Sequence, residues 1–285
     1  MAEPIRVTVL RGETVESAHR VHAVAVQEGE IVASAGDSEL VTFMRSAAKP
    51  IQAIPLARTR EDLDARDLAI ASASHLADEQ QLEAVRALLA KAPATEDDLE
   101  CGSFEGSKLR HNCSGKHAGM LALCHAQGWP TEGYRLADHP CQQAGLAEVA
   151  RLAGTDEVET GVDGCGVLTF ALPLSRIAVA FGGVDGRVAD AMRAHPVLIR
   201  GPRAVDTVLM QSFPGWISKG GAEALLCAAS PDGISFALKV EDGSQRALRP
   251  ALGAFLTELG MDGSLFGPTP VDNSWDEVVG EVSVS

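Results

Sequence analysis

The sequence predicts an α/β protein in which both ends of the chain contribute strands to one antiparallel sheet. Short β-branched and apolar runs fill residues 5–34, similar runs return at 234–240 and 277–284, and helical periodicity dominates the middle. The 285 residues are enough to bury a sizeable core. Because no internal repeat or low-complexity linker interrupts the chain, we expect one domain over residues 1–285. It should have a helix-rich second lobe and a cleft between the lobes.

The first elements form a predicted antiparallel meander. Its strand runs cover residues 5–10, 21–26 and 31–33. Glycine-centred segments, Arg11-Gly12-Glu13 and Glu28-Gly29-Glu30, are typical of the turns between such strands.

Helices are expected next. The segment Ser46–Ala57 predicts a helix, since Pro50 is acceptable only in a first turn. A short buried run at 67–73 follows, and Asp78–Ala90 is amphipathic, with its leucines on one side.

The middle of the chain, roughly 95–160, is rich in Gly, His and Cys and is predicted to be mostly helical. The remaining predicted elements follow in order: helices at Gly115–Ala126 and Cys141–Ala153, apolar runs at 173–180, helices near 186–194 and 203–212, a glycine-rich turn at 219–221, a strand at 234–240, a helix at 246–259 and a last strand at 277–284.

Composition narrows the possible partners. The chain has 24 Lys and Arg against 39 Asp and Glu, a formal charge of −15, and aromatic residues make up only 4%. Such a surface repels phosphate groups, so neither nucleic acid nor an anionic membrane is an expected partner. An anionic ligand would need a local positive pocket. With no export signal or spanning segment, we expect a cytoplasmic protein whose six cysteines are free thiols, metal ligands or buried packing residues.

A serine and a lysine three residues apart give the first chemical signal, in Arg45-Ser46-Ala47-Ala48-Lys49. At a helix start both side chains lie on one face, so the Lys49 amine can approach the Ser46 hydroxyl. Lysine can deprotonate serine only if burial or a neighbouring cation, such as Arg45, lowers its pKa. Taken alone, the spacing is a weak signal and more often marks an N-cap serine beside a solvated lysine.

A second signal combines metal-capable and small residues around Cys113. Cys113 and His117 are four residues apart and would share a helix face, which is a spacing that zinc ligands use. Cys165, between two glycines, is the best candidate for a partner thiol. The alternative is two small buried cysteines in tight turns, since the chain has no C-x-x-C pair.

Two late lysines are further candidates. Lys219-Gly220-Gly221 resembles a turn leading into a helix, whereas Lys239 lies in a strand on the side opposite Phe236 and Leu238. Either lysine alone would normally be solvated. Ser74 would normally cap the helix that follows it.

Taken together, these motifs resemble the rhizobial-type (class 3) L-asparaginases over roughly residues 5–250. That family is similar in fold to serine β-lactamases and glutaminases. The resemblance implies hydrolysis of L-asparagine to L-aspartate and ammonia, and a homodimer. The motifs that carry it are Arg45-Ser46-Ala47-Ala48-Lys49-Pro50, Ala73-Ser74-His75, His111-Asn112-Cys113-Ser114-Gly115-Lys116-His117, Gly161-Val162-Asp163-Gly164-Cys165-Gly166 and Leu238-Lys239-Val240-Glu241-Asp242-Gly243.

The resemblance also implies roles for individual residues. It implies two serine–lysine pairs and a zinc site. In that site the family pattern makes Lys116 a ligand, whereas helix spacing alone suggests His117. Residues adjacent to these in the sequence are expected to contact the substrate. The implied set is Ser46 with Lys49 and Ser74 with Lys239 as catalytic residues, Cys113, Lys116 and Cys165 as zinc ligands, and Arg45, His117 and Asp163 as substrate contacts.

The chain departs from the family pattern just after Ser74. The family usually continues Ser-His with Ser-Gly-Glu and a histidine, and this chain has Leu76-Ala77-Asp78 and Gln81 instead.

Other functions fit parts of the sequence. A glutaminase-type or penicillin-recognising acyl enzyme would share the Ser46–Lys49 spacing, but the chain has no Ser-Asp-Asn block or Lys-Thr-Gly triad. A zinc-stabilised binding module without activity would explain the cysteines and leave the serine–lysine pairs without a purpose. Amide hydrolysis of asparagine explains both.

Overall fold

The computed structural model describes residues 2–285, in which both chain ends build one large antiparallel sheet. Strand formation follows the β-branched and apolar runs, which fit a pleated and half-buried surface. The strands are β1 (Ile5–Arg11), β2 (Thr14–Gln27), β3 (Glu30–Ala35), β4 (Val41–Phe43), β5 (Glu159–Val162), β6 (Leu168–Pro173), β7 (Ile217–Gly221), β8 (Leu225–Ala229), β9 (Ile234–Val240), β10 (Thr269–Asp272) and β11 (Val278–Val284).

Seven strands of the large sheet lie in the order β10-β11-β1-β2-β9-β8-β7, and β3 pairs with β2 as the eighth. The N-terminal strands therefore lie between strands from the C-terminal third. A second sheet of three short strands has the order β4-β6-β5. Within the large sheet every pairing is antiparallel.

The helices occupy mainly the middle of the chain. A 3₁₀ turn, Arg45–Ala48, leads directly into the first of them. The helices are α1 (Lys49–Thr59), α2 (Ala65–Ala71), α3 (Glu79–Lys91), α4 (Ser114–Gln127), α5 (Pro140–Ala153), α6 (Leu174–Gly182), α7 (Gly186–Ala194), α8 (Pro196–Ile199), α9 (Val205–Ser212) and α10 (Leu248–Glu258).

Two hydrophobic cores lie on opposite faces of the large sheet, and strand alternation separates them. On β9, Phe236 and Leu238 belong to the core that α10 covers. Ala237, between them, belongs to the larger core formed with the helical lobe. The predicted fold class, an antiparallel sheet from both chain ends with flanking helices and a helix-rich lobe, is confirmed.

Most of the predicted helices and strands are also confirmed, with ends shifted by a few residues. One prediction is wrong in a way that matters for the site. Residues 219–221 are not a turn before a helix but the end of strand β7, whose residues are all buried. Glycine allows this strand to approach its neighbours closely, since a Cβ on Gly221 would lie 2.8 Å from the Met44 carbonyl oxygen.

Several further elements differ from the predictions, among them helix α2 and strand β8. The short buried run at 67–73 is mostly helix α2, which begins after Asp64 and is capped by its carboxylate. The hairpin strand β8 was not predicted. Among residues 2–285 no helix is long and apolar enough to cross a membrane.

Candidate active site

Ser46 lies on a strained turn at the edge of the large sheet. The preceding residue, Arg45, has φ of +49°, a left-handed conformation that side chains rarely adopt. Its backbone N–H donates to Thr169 Oγ1 at 3.1 Å, which ties the turn to β6. Pro50 then occupies the first turn of α1, as predicted. The strained turn leaves Ser46 half-buried at the point where β7 meets the helical lobe.

Lys49 is fully buried and holds the second serine. Its Nζ donates to Ser74 Oγ at 2.9 Å and to the Ala73 carbonyl oxygen at 2.7 Å, rather than to Ser46 Oγ. Burial lowers the pKa of Lys49 below its usual value, because the charged form loses its hydration. The structure therefore brings Ser46, Lys49 and Ser74 together, with Lys49 bonded to the serine that sequence analysis assigned to another lysine.

Ser74 is fixed by the chain around it. Its N–H donates to the Ile199 carbonyl oxygen at 2.8 Å. The next residue, His75, is buried with Nε2 at 2.8 Å from Ser114 Oγ, and burial lowers its pKa to about 4. A neutral His75 serves as a hydrogen-bonding brace between this segment and the start of α4.

Among residues 2–285 no hydrogen bond joins Lys239 to Ser74, and the lysine that donates to Ser74 Oγ is Lys49. The Lys239 amine donates to its neighbouring Val240 carbonyl, and its charged neighbours are Glu223, Asp242 and Glu241. Strand register gives the reason. Lys219 on β7 pairs with Cys227, and Cys227 pairs with Ala237, so Lys239 is displaced along β9 and lies two strands away. Two strand spacings amount to roughly 10 Å.

Lys219 lies near the site, since the charges of Lys49 and Cys113 act on it, although the sequence motifs assign it no role. It is fully buried, 3.9 Å from the Asp206 carboxylate, and its Nζ donates to the Gly220 carbonyl oxygen at 2.8 Å. Burial lowers the pKa of Lys219 to about 7, the charges of Lys49 and Arg200 act in the same direction, and Asp206 opposes them. Near neutral pH this amine can accept or release a proton.

The three predicted zinc ligands come from two separate elements and meet. Cys113 and Lys116 lie at the start of α4, which packs so closely on α2 that a Cβ on Gly115 would lie 2.2 Å from the Ile70 carbonyl oxygen. Cys165 lies in the tight turn between β5 and β6, and Lys116 Nζ is 3.0 Å from its Sγ. All three side chains are buried.

The charges in this cluster depend on one another. A hydrogen bond from the Cys165 thiol holds the pKa of Cys113 well below its usual range, and it raises the pKa of Cys165. Burial disfavours a charged Lys116, but the charges of Cys165, Cys113 and Asp163 outweigh it and raise its pKa. These shifts favour a thiolate at Cys113, a thiol at Cys165 and an ammonium group at Lys116.

A zinc ion fits this donor set. Two thiols and an amine from converging elements are three donors, and zinc sites that act on substrates keep a fourth position open. Zinc binding would require the Cys165 thiol to lose its proton and the Lys116 ammonium group to lose one of its three. Among residues 2–285 no three His, Cys, Asp or Glu side chains form a metal-binding group, so the Lys116 amine would be the necessary third donor.

The predicted substrate contacts, Arg45, Asp163 and His117, lie close in sequence to the Ser46 turn and to the Cys113, Lys116 and Cys165 cluster. Arg45 Nε donates to Asp163 Oδ1 at 2.8 Å, so these two residues form an ion pair between the Ser46 turn and the Cys165 turn. His117 is completely buried, and its Nδ1 is 2.8 Å from the Tyr134 hydroxyl. His117 Nε2 is one of two buried side-chain N or O atoms within residues 2–285 that have no hydrogen-bond partner.

The departure from the family pattern after Ser74 has a local structural consequence. Asp78 caps α3 and receives the Gln81 backbone N–H, while Gln81 Oε1 accepts the N–H groups of Leu76 and Asp78. Gln81 is fully buried. These residues therefore close a capping box that fixes the segment following Ser74.

Serines set among buried lysines, at the junction of a sheet edge and a helical lobe, are the parts of an enzyme that cleaves acyl bonds. The family profile described as L-asparaginase II matches residues 7–284, almost the whole chain. The chain belongs to this family and is an amidohydrolase that acts on L-asparagine.

Similarity to individual known proteins is much weaker. No curated protein is significantly similar to the chain. Among solved structures, an octameric penicillin-binding protein homologue from Pyrococcus abyssi matches with 12% identity and a TM-score of 0.39. The match covers 86% of this chain and 74% of that one.

Proposed function

We propose that this amidohydrolase works through Ser46 as nucleophile, with Lys49 and Ser74 carrying the proton. The observation that supports this most directly is the hydrogen bond from Lys49 Nζ to Ser74 Oγ beside the Ser46 turn. One buried amine then connects two hydroxyl groups: Ser46, three residues before it on the same helical face, and Ser74, which it contacts.

In the proposed reaction, neutral Lys49 accepts the Ser46 proton as Ser46 Oγ attacks the side-chain amide carbon of asparagine. The amide nitrogen receives a proton through Ser74 and leaves as ammonia. A water molecule, deprotonated by the same route, then hydrolyses the aspartyl ester on Ser46. Burial of Lys49 favours the neutral form that the first step requires.

Lys219 replaces Lys239 as the second lysine of the proposed mechanism. Burial, assisted by the charge of Lys49, lowers the pKa of Lys219 to about 7, which suits proton exchange at neutral pH. The Ile199 carbonyl oxygen accepts the Ser74 N–H, and the next residue, Arg200, lies against Gly220. Gly220 follows Lys219 on strand β7, so this contact links the Ser74 segment to the strand that carries Lys219.

Cys113, Lys116 and Cys165 would hold the zinc ion of this proposal. When bound, the ion would supply a positive charge that can orient the substrate carboxylate or polarise its amide. Arg45 and Asp163 would then position the substrate's charged groups, since their ion pair lies between Ser46 and Cys165. His117 Nε2 offers one further polar atom in the same region.

Two broader expectations accompany the proposal. All six cysteines are free and buried, which agrees with a reducing compartment such as the cytoplasm. A homodimer is expected from the family resemblance alone.

The test is to locate the acyl group. Protein mixed rapidly with L-asparagine and quenched in acid should gain the mass of an aspartyl group on the peptide containing Ser46. Ser46→Ala should abolish this species and lower kcat at least about a thousandfold, as removal of a nucleophile does. Ser74→Ala should slow acylation but leave the label on Ser46.

A matched control is Ser72→Ala, because Ser72 is also a buried serine and its hydroxyl donates to the Leu68 carbonyl oxygen of helix α2 at 2.9 Å. It should keep near-normal activity. An acyl group found on Ser74 in the unmutated protein would show that Ser74, not Ser46, is the nucleophile.

A further inference from the structure

A cavity of about 490 Å³ adjoins the site and is not used by the mechanism proposed above. Its lining includes His75, Leu76, Phe104, His111 and Asn112. Two lining residues are neighbours of site residues: His75 directly follows Ser74, and Asn112 Oδ1 lies 3.3 Å from Cys113 Sγ. The cavity therefore lies beside the segments that carry Ser74 and Cys113.

The outer wall of this cavity is apolar and exposed. Leu76 and Phe104 expose 67% and 56% of their surface. Water-exposed apolar groups that line a concave pocket beside a catalytic site are suited to binding an apolar part of a ligand.

Phe104 is presented by an ordered hairpin. Its backbone pairs with Ser107 in both directions, at 2.9 and 3.1 Å. Glu96 anchors the same hairpin by accepting from Ser107 Oγ and from the Lys108 N–H, each at 2.7 Å. The apolar wall is thus built into the fold.

The role proposed for Ser74 indicates which part of a substrate would lie nearest this cavity. In the proposed reaction Ser74 protonates the departing nitrogen, so that nitrogen must lie next to Ser74 Oγ. The two residues that follow Ser74, His75 and Leu76, line the cavity, so a group attached to that nitrogen would have the cavity wall as its neighbour. Asparagine carries only hydrogens there and leaves the cavity to water.

The charge of the cavity favours an uncharged group. Arg110 also lines it, but the Arg110 guanidinium is paired with Glu105 at 2.9 Å. Its charge is therefore balanced, and burial has lowered the pKa of His75 so that it is neutral at physiological pH. Neither Arg110 nor His75 therefore offers an unpaired charge that would compensate for the burial of an ion.

We propose that this enzyme also hydrolyses secondary β-amides of L-aspartate whose nitrogen carries an apolar group, and that this group binds between Leu76 and Phe104. The inference rests on the proposed function. Ser46 Oγ forms the ester bond to the β-carbon, the C–N bond breaks, and the nitrogen takes its proton through Ser74 and leaves as a free amine. Water then releases L-aspartate and restores Ser46.

The test compares L-asparagine with N4-benzyl-L-asparagine as substrates of the purified full-length protein. Benzylamine and aspartate should appear in equal amounts. Leu76→Ser and Phe104→Ser should each lower kcat/KM for the benzyl amide about tenfold or more, because the apolar contact is lost. Both variants should leave kcat/KM for L-asparagine within about twofold.

Two controls separate a specific contact from a general effect on the fold. Leu265 is also an exposed leucine, with 53% of its surface exposed, but it does not line this cavity. Leu265→Ser should therefore change neither activity. Phe104→Trp keeps an apolar wall and should retain benzyl amide hydrolysis.

The outcomes are distinguishable. If L-asparagine itself is not hydrolysed through Ser46, the proposed function fails. If L-asparagine is hydrolysed but the benzyl amide yields no benzylamine, this inference alone is overturned, even if the amide binds as an inhibitor. Equal losses for both substrates in Leu76→Ser and Phe104→Ser would also overturn the assignment of the cavity.

Discussion

Three buried lysines surround the site, and their environments make them different chemical groups. Burial of an ammonium group is costly unless a negative partner compensates or the proton leaves. Lys116 has a compensating partner in the Cys113 and Cys165 pair, so its pKa is raised. For Lys49 and Lys219 burial prevails and the pKa is lowered. One region thus combines a charged lysine with two that can act as bases.

The two candidate lysines for the second serine–lysine pair can be separated by substitution. Lys219→Met should lower kcat about a hundredfold or more, which is a typical loss for a general acid–base group. Lys239→Met should change kcat less than about threefold, because the Lys239 amine lies among Glu223, Asp242 and Glu241 away from Ser74.

A pH profile gives a second measurement for the same pair. The pKa of Lys219 is about 7, so its basic form increases as pH rises through that value. The kcat/KM of the unmutated enzyme and of Lys239→Met should therefore rise between about pH 6 and 8. A profile that Lys219→Met leaves unchanged, or a severe loss in Lys239→Met, would contradict this assignment.

Local sequence spacing predicted the placement of some residues of the site but not of others. The spacing of Ser46 and Lys49 predicted their shared helical face, and the glycines around Cys165 predicted a tight turn. The bond between Lys49 and Ser74 joins segments 25 residues apart, and no local pattern contains it. The choice between Lys219 and Lys239 depended on the pairing of three strands, which the sequence does not display.

At the scale of elements, strand β7 shows how tertiary contacts decide a structure that local propensity opposes. Its end, Lys219-Gly220-Gly221, has the composition of a turn. In the fold, however, β8 pairs with it along its full length, and the Asp206 carboxylate accepts the Gly220 N–H at 2.9 Å. Small residues are needed there because the Ser46 turn packs directly against Gly221.

The turn after Ser74 carries strain that a single substitution can relieve. Ala77 has φ of +60°, where an alanine costs about 1–2 kcal/mol relative to a right-handed conformation. Glycine removes most of this cost but adds about 0.5–1 kcal/mol of unfolded-state entropy. Ala77→Gly should therefore raise the free energy of unfolding by about 0.5–1 kcal/mol, as measured by urea denaturation.

Ala87→Gly is the matched control, because Ala87 is exposed in the interior of α3. Glycine at a regular helical position should destabilise the protein by about 1 kcal/mol. If both substitutions lowered stability equally, the left-handed conformation of Ala77 would not be a source of strain.

On the scale of the whole molecule, charge is divided between surface and site. The chain has a formal charge of −15, yet Lys49, Lys116, Lys219 and Arg45 converge near the two serines. Burial lowers the pKa of Lys49 and Lys219, and Arg45 is paired with Asp163, so this cluster supplies proton-transfer groups more than a net positive charge. A substrate with one carboxylate and one ammonium group has no net attraction to the surface, so local groups rather than long-range steering must position it.

The proposed zinc ion would join two parts of the molecule. Cys113 and Lys116 belong to α4 of the helical lobe, whereas Cys165 belongs to the turn of the small sheet. A ligand that binds only the folded state stabilises it by about 2.7 kcal/mol at a hundredfold excess over its Kd. Chelated protein should therefore melt at a lower temperature than protein with added zinc, and elemental analysis should find about one zinc per loaded chain.

Cys165→Ser should abolish this zinc-dependent rise in Tm, because a hydroxyl is a much poorer zinc donor than a thiolate. Cys227→Ser, at a buried cysteine in strand β8, should retain the rise even if its starting Tm is lower. Removal of zinc should raise KM for L-asparagine more than it lowers kcat, because the proton transfers are assigned to Ser46, Lys49 and Ser74. Chelated and zinc-treated protein with the same Tm and the same KM would contradict the zinc proposal and leave Cys113 and Cys165 as packing residues.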